Sequence, residues 1–372
     1  MNVAIIGAGI NGLMSALELS EQGIEVHIYD QQQAGREASW AGGGILSPMY
    51  PWRYPQPVNA LAKHAKALYT EWNQKLLPTT GIDFQIQQTG MLIFDQKDFD
   101  IGLNYANTHQ EPMQICQHLT QKDIQKLNPK VSKQFQEALF FPELSNVRNP
   151  RLLQSLINYL KHQSNVTFHE NIKISKFCIQ DSHVTGIEDE QKVIYSHDHT
   201  IIATGAWSAN WSAQLNLQIP VYPIQGQMVL FKTPKNWLTT MCMNEVMYLI
   251  PRKDGHIVCG SSMKDIGFDK ALCMHTQQNI LNACFEMIPE LQKFPIIKQW
   301  TGLRPSSPAG IPYIGTYPQL SNLWLNTGHF RNGLCMGAAS ARLLRQLILK
   351  QPCIEDPTPY QPSQLLSMTK HF

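Results

Sequence analysis

The chain has 372 residues, enough for two domains with a full core in each, and its 43% hydrophobic and 16% charged residues describe a globular protein rather than a disordered one. A net charge of +2 without any long Lys/Arg run leaves no electrostatic footprint for nucleic acid or an anionic membrane. No apolar run reaches the roughly 18 residues of a membrane span, and eight scattered cysteines show neither a C-x-x-C pair nor a zinc spacing. Cysteines of that kind read as small buried hydrophobes in a reducing compartment, and with no secretory leader before the first strand the expected location is the cytoplasm.

Residues 3–30, VAIIGAGINGLMSALELSEQGIEVHIYD, predict strand, tight turn, helix and strand. Gly7, Gly9 and Gly12 stand in G-x-G-x-x-G spacing after the buried run Val3 to Ile6. In such a unit the first glycine makes the turn, the second admits a pyrophosphate, and the third lets the helix pack against the strand. Asp30 closes the second strand, where a carboxylate accepts from ribose hydroxyls. The unit is a Rossmann-like dinucleotide site.

The stretch EASWAGGGILSP, residues 37–48, follows, and Gly42, Gly43 and Gly44 allow the backbone to lie against a second large flat surface; a flexible loop is the alternative. Directly after it, SPMYPWRYPQP at 47–57 is stiff and apolar. As a lid over a site it would use Trp52 and Tyr54 to limit the room for a substrate; otherwise it is surface or a subunit contact.

Segments 84–94, 221–231 and 246–261 are alternating and β-branched, as an antiparallel sheet requires. With Asp254-Gly255 as a two-residue turn, Lys253 pairs with His256, Tyr248 with Ser261 and Val246 with Met263. Tyr248 and Met263 would then share a face, and a buried Tyr hydroxyl needs a partner, which favours a pocket. A further buried strand, Ile201 to Ala203, ends in Thr204-Gly205 and implies a nucleotide domain assembled from distant segments. Extended FAD, rather than compact NAD, suits that assembly.

Two arginines come last. Arg304 in WTGLRPSSP offers a planar fork for a carboxylate, or a structural ion pair. Arg331 lies between glycines in GHFRNG, residues 328–333, just before an apolar helix whose start already favours anions.

These blocks together resemble the D-amino-acid oxidase superfamily of flavoproteins, and most of all its glycine oxidase branch. The likeness runs through AIIGAGINGL, SWAGGGIL, VRNPRLL, IIATGAWS, MYLIPRKDGHIVCGSSM, GLRP with PYIG, and GHFRNG. It departs at SSPAG, 306–310, where many relatives carry Asp before the glycine. The resemblance implies an α/β fold: a doubly wound FAD-binding domain from 1–80, 145–215 and 304–372, and an α+β substrate domain on an antiparallel sheet from 81–144 and 216–303. It implies that non-covalent FAD contacts Gly7, Gly9, Ile10, Asn11, Gly12, Asp30, Gln31, Ala38, Ser39, Gly43, Gly44, Ile45, Lys173, Gly205 and the run Gly328, His329, Phe330, Arg331, Asn332, Gly333 and Leu334. It implies that Tyr248, Arg304 and Arg331 hold a substrate carboxylate, with Met263 in the pocket, and no metal.

The activity implied is oxidation of glycine, sarcosine or a small D-amino acid, with dioxygen as acceptor and hydrogen peroxide as product. A D-amino-acid dehydrogenase reducing a quinone shares the motifs. A flavoprotein acting on modified tRNA is disfavoured by the lack of a basic run. A homo-oligomer stays open.

Overall fold

In the computed structural model, which describes residues 1–108 and 115–368, the strand Asn2–Ile6 runs inside a six-stranded sheet. Val3, Ala4 and Ile5 are fully buried, because a parallel sheet is covered on both faces. Ile5 lies opposite Ile201 of the strand His199–Ile202 on one side and opposite Ile28 of Glu25–Asp30 on the other. Val166–Glu170 and Leu323–Thr327 extend the sheet in parallel, and Tyr313–Thr316 closes one edge antiparallel. Strands from distant stretches thus build one sheet, as the run ending in Thr204-Gly205 suggests.

The helices Ile10–Ser20, Asn149–Lys161 and Gly333–Ile348 bury Leu13, Leu17, Leu152, Leu156, Ala338 and Leu344 in one core. Glu18 is buried between Arg342 and Arg345, each Nε at 3.0 Å from a carboxylate oxygen, and ties the first of these helices to the last. A three-stranded antiparallel sheet covers the opposite face through Phe177, Val184 and Ile187.

The second large sheet has eight strands. Ile296–Ser306 pairs antiparallel with Tyr222–Lys232, followed by His256–Gly260, Tyr248–Pro251 and Met241–Met243. Met241–Met243 then pairs in parallel with Met91–Ile93, beyond which lie Glu137–Phe141 and Gln117–Thr120. One face packs Leu249 and Cys259 on the helix Met274–Met287; the other holds Tyr248, Ile250 and Met228.

The hairpin register differs from the expected one. Tyr248 pairs with Gly260 and Pro251 with Ile257, so the turn has three residues, Lys253, Asp254 and Gly255. Gly255 at φ +84 takes the left-handed position that follows a type I turn. The extra turn residue shifts every pairing by one, and the strand ends at Gly260. Met263 therefore loses the expected pairing; it is 59% exposed and lies outside the pocket.

At SSPAG, the residue before the glycine is strained. Ala309 is left-handed at φ 54, is exposed, and is followed by Gly310 at φ +71. An L-residue there costs roughly 1 kcal/mol, which Asn tolerates better. Ala309→Asn should stabilise the protein by about 0.5–1 kcal/mol, read as a raised Tm; a fall would show that the added amide meets its surroundings at a cost greater than the strain it relieves.

Candidate active site

A cavity of about 620 Å³ runs between the two sheets, from Asp30 and Gln31 at the end of the second strand to Tyr248 and Arg304 on the eight-stranded sheet. Its first wall is the glycine turn. Gly7 has φ +107, and a Cβ on Gly12 would lie 1.9 Å from the Gly7 carbonyl oxygen, so helix and strand touch as backbone. A Cβ on Gly9 would meet only Ser39 Oγ, at 3.3 Å, and Gly9 faces the cavity. The helix starting at Ile10 has no side-chain cap, although Ile10 N–H donates to Ser39 Oγ at 2.8 Å. Its open N-terminus suits a pyrophosphate.

Asp30 accepts from the Ala8 and Gln32 amides at 2.7 and 2.8 Å. Burial nonetheless pushes its carboxyl up. Lys173 lines the same end and pairs with Glu190 at 2.6 Å.

The glycine run forms a second wall. Ala38, Ser39, Gly42, Gly43, Gly44 and Ile45 all line the cavity, and a Cβ on Gly43 would come within 2.9 Å of the Tyr248 ring. Gly205, Phe330, Arg331, Asn332, Gly333 and Leu334 line it as well. Asn332 Nδ2, at the start of the Gly333–Ile348 helix, is buried without a partner, a donor aimed at something other than protein. An extended space with glycine walls, two helix starts and an unpaired amide fits FAD.

Gly12, Gly328 and His329 lie behind the wall rather than in it. His329 is fully buried, with Nδ1 at 2.9 Å from Asn11 Nδ2 and Nε2 at 3.0 Å from Ser340 Oγ. It joins the start of the first helix to the last helix. Burial holds its pKa down to about 3, whereas an unfolded histidine titrates near 6.5. The unfolded chain therefore takes up the proton first, and this stability is complete above about pH 6.5 and lost as the pH falls toward 3. Stability at pH 5.5 should be about 1 kcal/mol below that at pH 7.5 on this account, and His329→Gln should remove that part of the slope in urea unfolding. An unchanged slope would assign it elsewhere.

At the other end, the half-buried Arg304 donates from Nη1 to Ser262 O at 3.1 Å and from Nη2 to Ser261 Oγ. Its guanidinium lies over Gly226, where a Cβ would sit 2.2 Å from Nη2. Burial lowers it to about 10, and no carboxylate among the described residues offsets the charge. Tyr248 donates to Met228 Sδ at 3.6 Å and to Ser261 Oγ at 3.4 Å. Arg331 is exposed at the rim, with Nη2 at 3.9 Å from Met49 Sδ. Two cations and a phenol therefore converge without an anion among the described residues.

A smaller cavity of about 260 Å³ adjoins this end and shares Met49, Tyr248, Ser261 and Arg331 with the first. Tyr54 lines it, but Trp52 does not. Trp52 Nε1 donates to Asp98 Oδ1 at 2.9 Å, and its ring packs on Phe141 and Tyr105. The 47–57 loop thus uses Trp52 as an anchor, with Arg53 also on Asp98. Trp52→Ala should cost about 3 kcal/mol of stability without changing substrate preference, whereas Tyr54→Ala should raise activity on bulky substrates relative to small ones. Chemical unfolding and a ratio of kcat/KM values separate the two; equal ratios for both variants would refute the division.

Sequence reasoning missed Ser261, Gly226 and Met49 because their place beside Arg304, Tyr248 and Arg331 comes from long-range packing of separate stretches. It missed Asn149 too, whose Nδ2 donates to Ser39 O and Gly42 O at 3.1 and 2.7 Å. VRNPRLL carried that signal, since Asn before Pro at a helix start leaves its amide free for a neighbouring loop.

Comparison with known proteins places the whole chain in a family. The DAO family model, FAD dependent oxidoreductase, matches residues 2–347. Glycine oxidase of Pseudomonas aeruginosa is 39% identical over 361 residues, 97% of this chain and 98% of that protein. Glycine oxidase of Pseudomonas putida is 38% identical over 360 residues, again 97% and 98%. The crystal structure of glycine oxidase from Geobacillus kaustophilus shares the fold at TM-score 0.89 and 24% identity, covering 96% of this chain and 97% of that one. No helix of the described residues is long and apolar enough to cross a membrane. The chain belongs to the DAO family of FAD-dependent oxidoreductases.

Proposed function

We propose that the protein oxidises a small amino acid or amine, glycine, sarcosine or a small D-amino acid, to a 2-oxo acid with release of ammonia or an amine. The observation that carries this reading is the pair of cations, Arg304 and Arg331, beside Tyr248, with no carboxylate among the described residues to neutralise them. An anionic carboxylate of the substrate supplies the missing charge. The Arg304 fork takes its two oxygens, Tyr248 donates to one of them, and Arg331 closes the rim. Held so, the α-carbon has one orientation toward the cavity, which is the main contribution this chain makes to rate.

Bound FAD supplies the two-electron acceptor for the hydride that leaves the α-carbon, and dioxygen then takes both electrons to give hydrogen peroxide. The remaining balance needs water, which hydrolyses the imine. The carboxylates of the cavity wall, Asp30, Glu37 and Glu190, are bonded to backbone amides or to Gln32, Lys270 and Lys173. Among the described residues none is left free beside Tyr248, so the amine loses its proton to water.

No cysteine among the described residues lines the cavity, which supports non-covalent FAD. The eight free thiols suit the cytoplasm. Relatives named glycine oxidase favour oxygen over a quinone as acceptor. An aerobic assay with glycine, sarcosine and D-alanine, following peroxide and a soluble quinone in parallel, tests this. Peroxide equal to the 2-oxo acid formed is expected; quinone reduction without peroxide would favour a dehydrogenase.

A further inference from the structure

Arg252 takes no part in the reading above, yet it is a cation only 6% exposed, placed where the strand Tyr248–Pro251 ends. Its Nη1 donates to Asn146 Oδ1 at 2.6 Å and to Val147 O at 2.9 Å, and its Nη2 donates to Gly43 O at 2.6 Å. A guanidinium so buried ordinarily sits on a carboxylate. Here the neighbouring Asp254 is bonded to Arg148 Nη1 at 2.6 Å instead. Burial, with Arg148 beside it, lowers Arg252 to about 9, which leaves it charged at neutral pH.

What the bonds do is visible in the glycine run. Gly42 O accepts from Asn149 Nδ2 at 2.7 Å, Gly43 O from Arg252, and Gly44 O from Val147 N at 2.8 Å. All three carbonyls are held from behind, so none offers its negative end to the cavity that the same residues line. The Gly43–Gly44 peptide is trans, and its N–H therefore points away from Arg252. The dipole of that peptide and the charge behind it both make the wall positive.

We propose that Arg252 is a positioning residue for the cofactor: it holds the Gly43 carbonyl out of the cavity and sets a fixed positive charge behind the wall, so that the site favours reduced over oxidised FAD. Asn146 and Val147 complete the clamp, which joins the hairpin of the eight-stranded sheet to the glycine run and to Tyr248 packed on Gly43. This rests on FAD occupying the cavity and not on which substrate is oxidised.

The test uses the whole protein and needs no substrate. Arg252→Met removes charge and bonds, Arg252→Lys keeps the charge, and Asn146→Asp leaves Arg252 in place while neutralising it. FAD dissociation constants from fluorescence titration and midpoint potentials from dye equilibration are the readouts, with circular dichroism to show folding. Arg252→Met should weaken oxidised FAD about ten-fold and reduced FAD at least a further ten-fold, a fall of about 30 mV for a two-electron couple. Arg252→Lys should recover the potential but only part of the affinity. Asn146→Asp should lower the potential while nearly keeping the affinity. Folded Arg252→Met with the potential and affinity of the parent would overturn the proposal. Should that variant not fold, an unchanged potential in Asn146→Asp overturns the role of the charge, and an unchanged affinity in Arg252→Lys overturns that of the clamp.

Discussion

Arg304→Ala is expected to lower kcat/KM by about 2–5 kcal/mol, some thirty-fold to several thousand-fold, while FAD content stays that of the parent. The size follows from what is left behind. With the fork gone, the substrate carboxylate would face only Tyr248 and the exposed Arg331, the Ser262 carbonyl would lose this donor, and the Ser261 hydroxyl would keep only Tyr248. Arg304→Lys should recover a small part, since an ammonium keeps the charge but not the two parallel bonds. Steady-state kinetics with glycine and sarcosine read the result. Normal kinetics in Arg304→Ala would return this arginine to a purely structural role.

The second large effect separates two glycines of one motif. Gly12→Ala places a methyl 1.9 Å from a backbone oxygen, which cannot step aside unless the first helix leaves the first strand. Overpacking of that kind costs roughly 3 kcal/mol or more, and soluble, folded protein should be scarce. Gly9→Ala meets only a serine hydroxyl at 3.3 Å. It should fold with a nearly unchanged Tm, yet bind FAD at least ten-fold more weakly, because the methyl stands where the phosphates approach. Thermal unfolding of both variants and FAD titration of Gly9→Ala decide the matter. Comparable losses of stability in both would mean that the motif acts on the fold alone.

Much of this was legible in the residues, for physical reasons that differ along the chain. The glycine motif, the buried runs Val3 to Ile6 and Ile201 to Ala203, and the acid at 30 are local signals, and a parallel sheet admits few alternatives for them. Long-range geometry was not legible. The hairpin at 252–256 turned on whether two or three residues make the bend, and that single residue removed Met263 from the pocket and brought Gly260 opposite Tyr248. Trp52 reads from sequence either as a lid residue, since aromatic, proline-rich loops often are, or as surface or a subunit contact. Its partner Asp98 lies 46 positions away and is invisible until the loop docks. Arg252 shows the same limit, since its acceptors at 43, 146 and 147 come from two other stretches of the chain.

The central claim, that this cavity oxidises a small amino acid by a two-electron transfer to FAD, is tested most directly without oxygen. The protein as purified is mixed anaerobically with glycine, sarcosine and D-alanine in turn, and the visible absorbance of the oxidised flavin is followed. The account predicts that at least one of them bleaches the flavin, with one equivalent of 2-oxo acid formed per FAD, and that Arg304→Ala slows the bleaching. Flavin that stays oxidised with all three, in protein that dithionite still reduces, would contradict it.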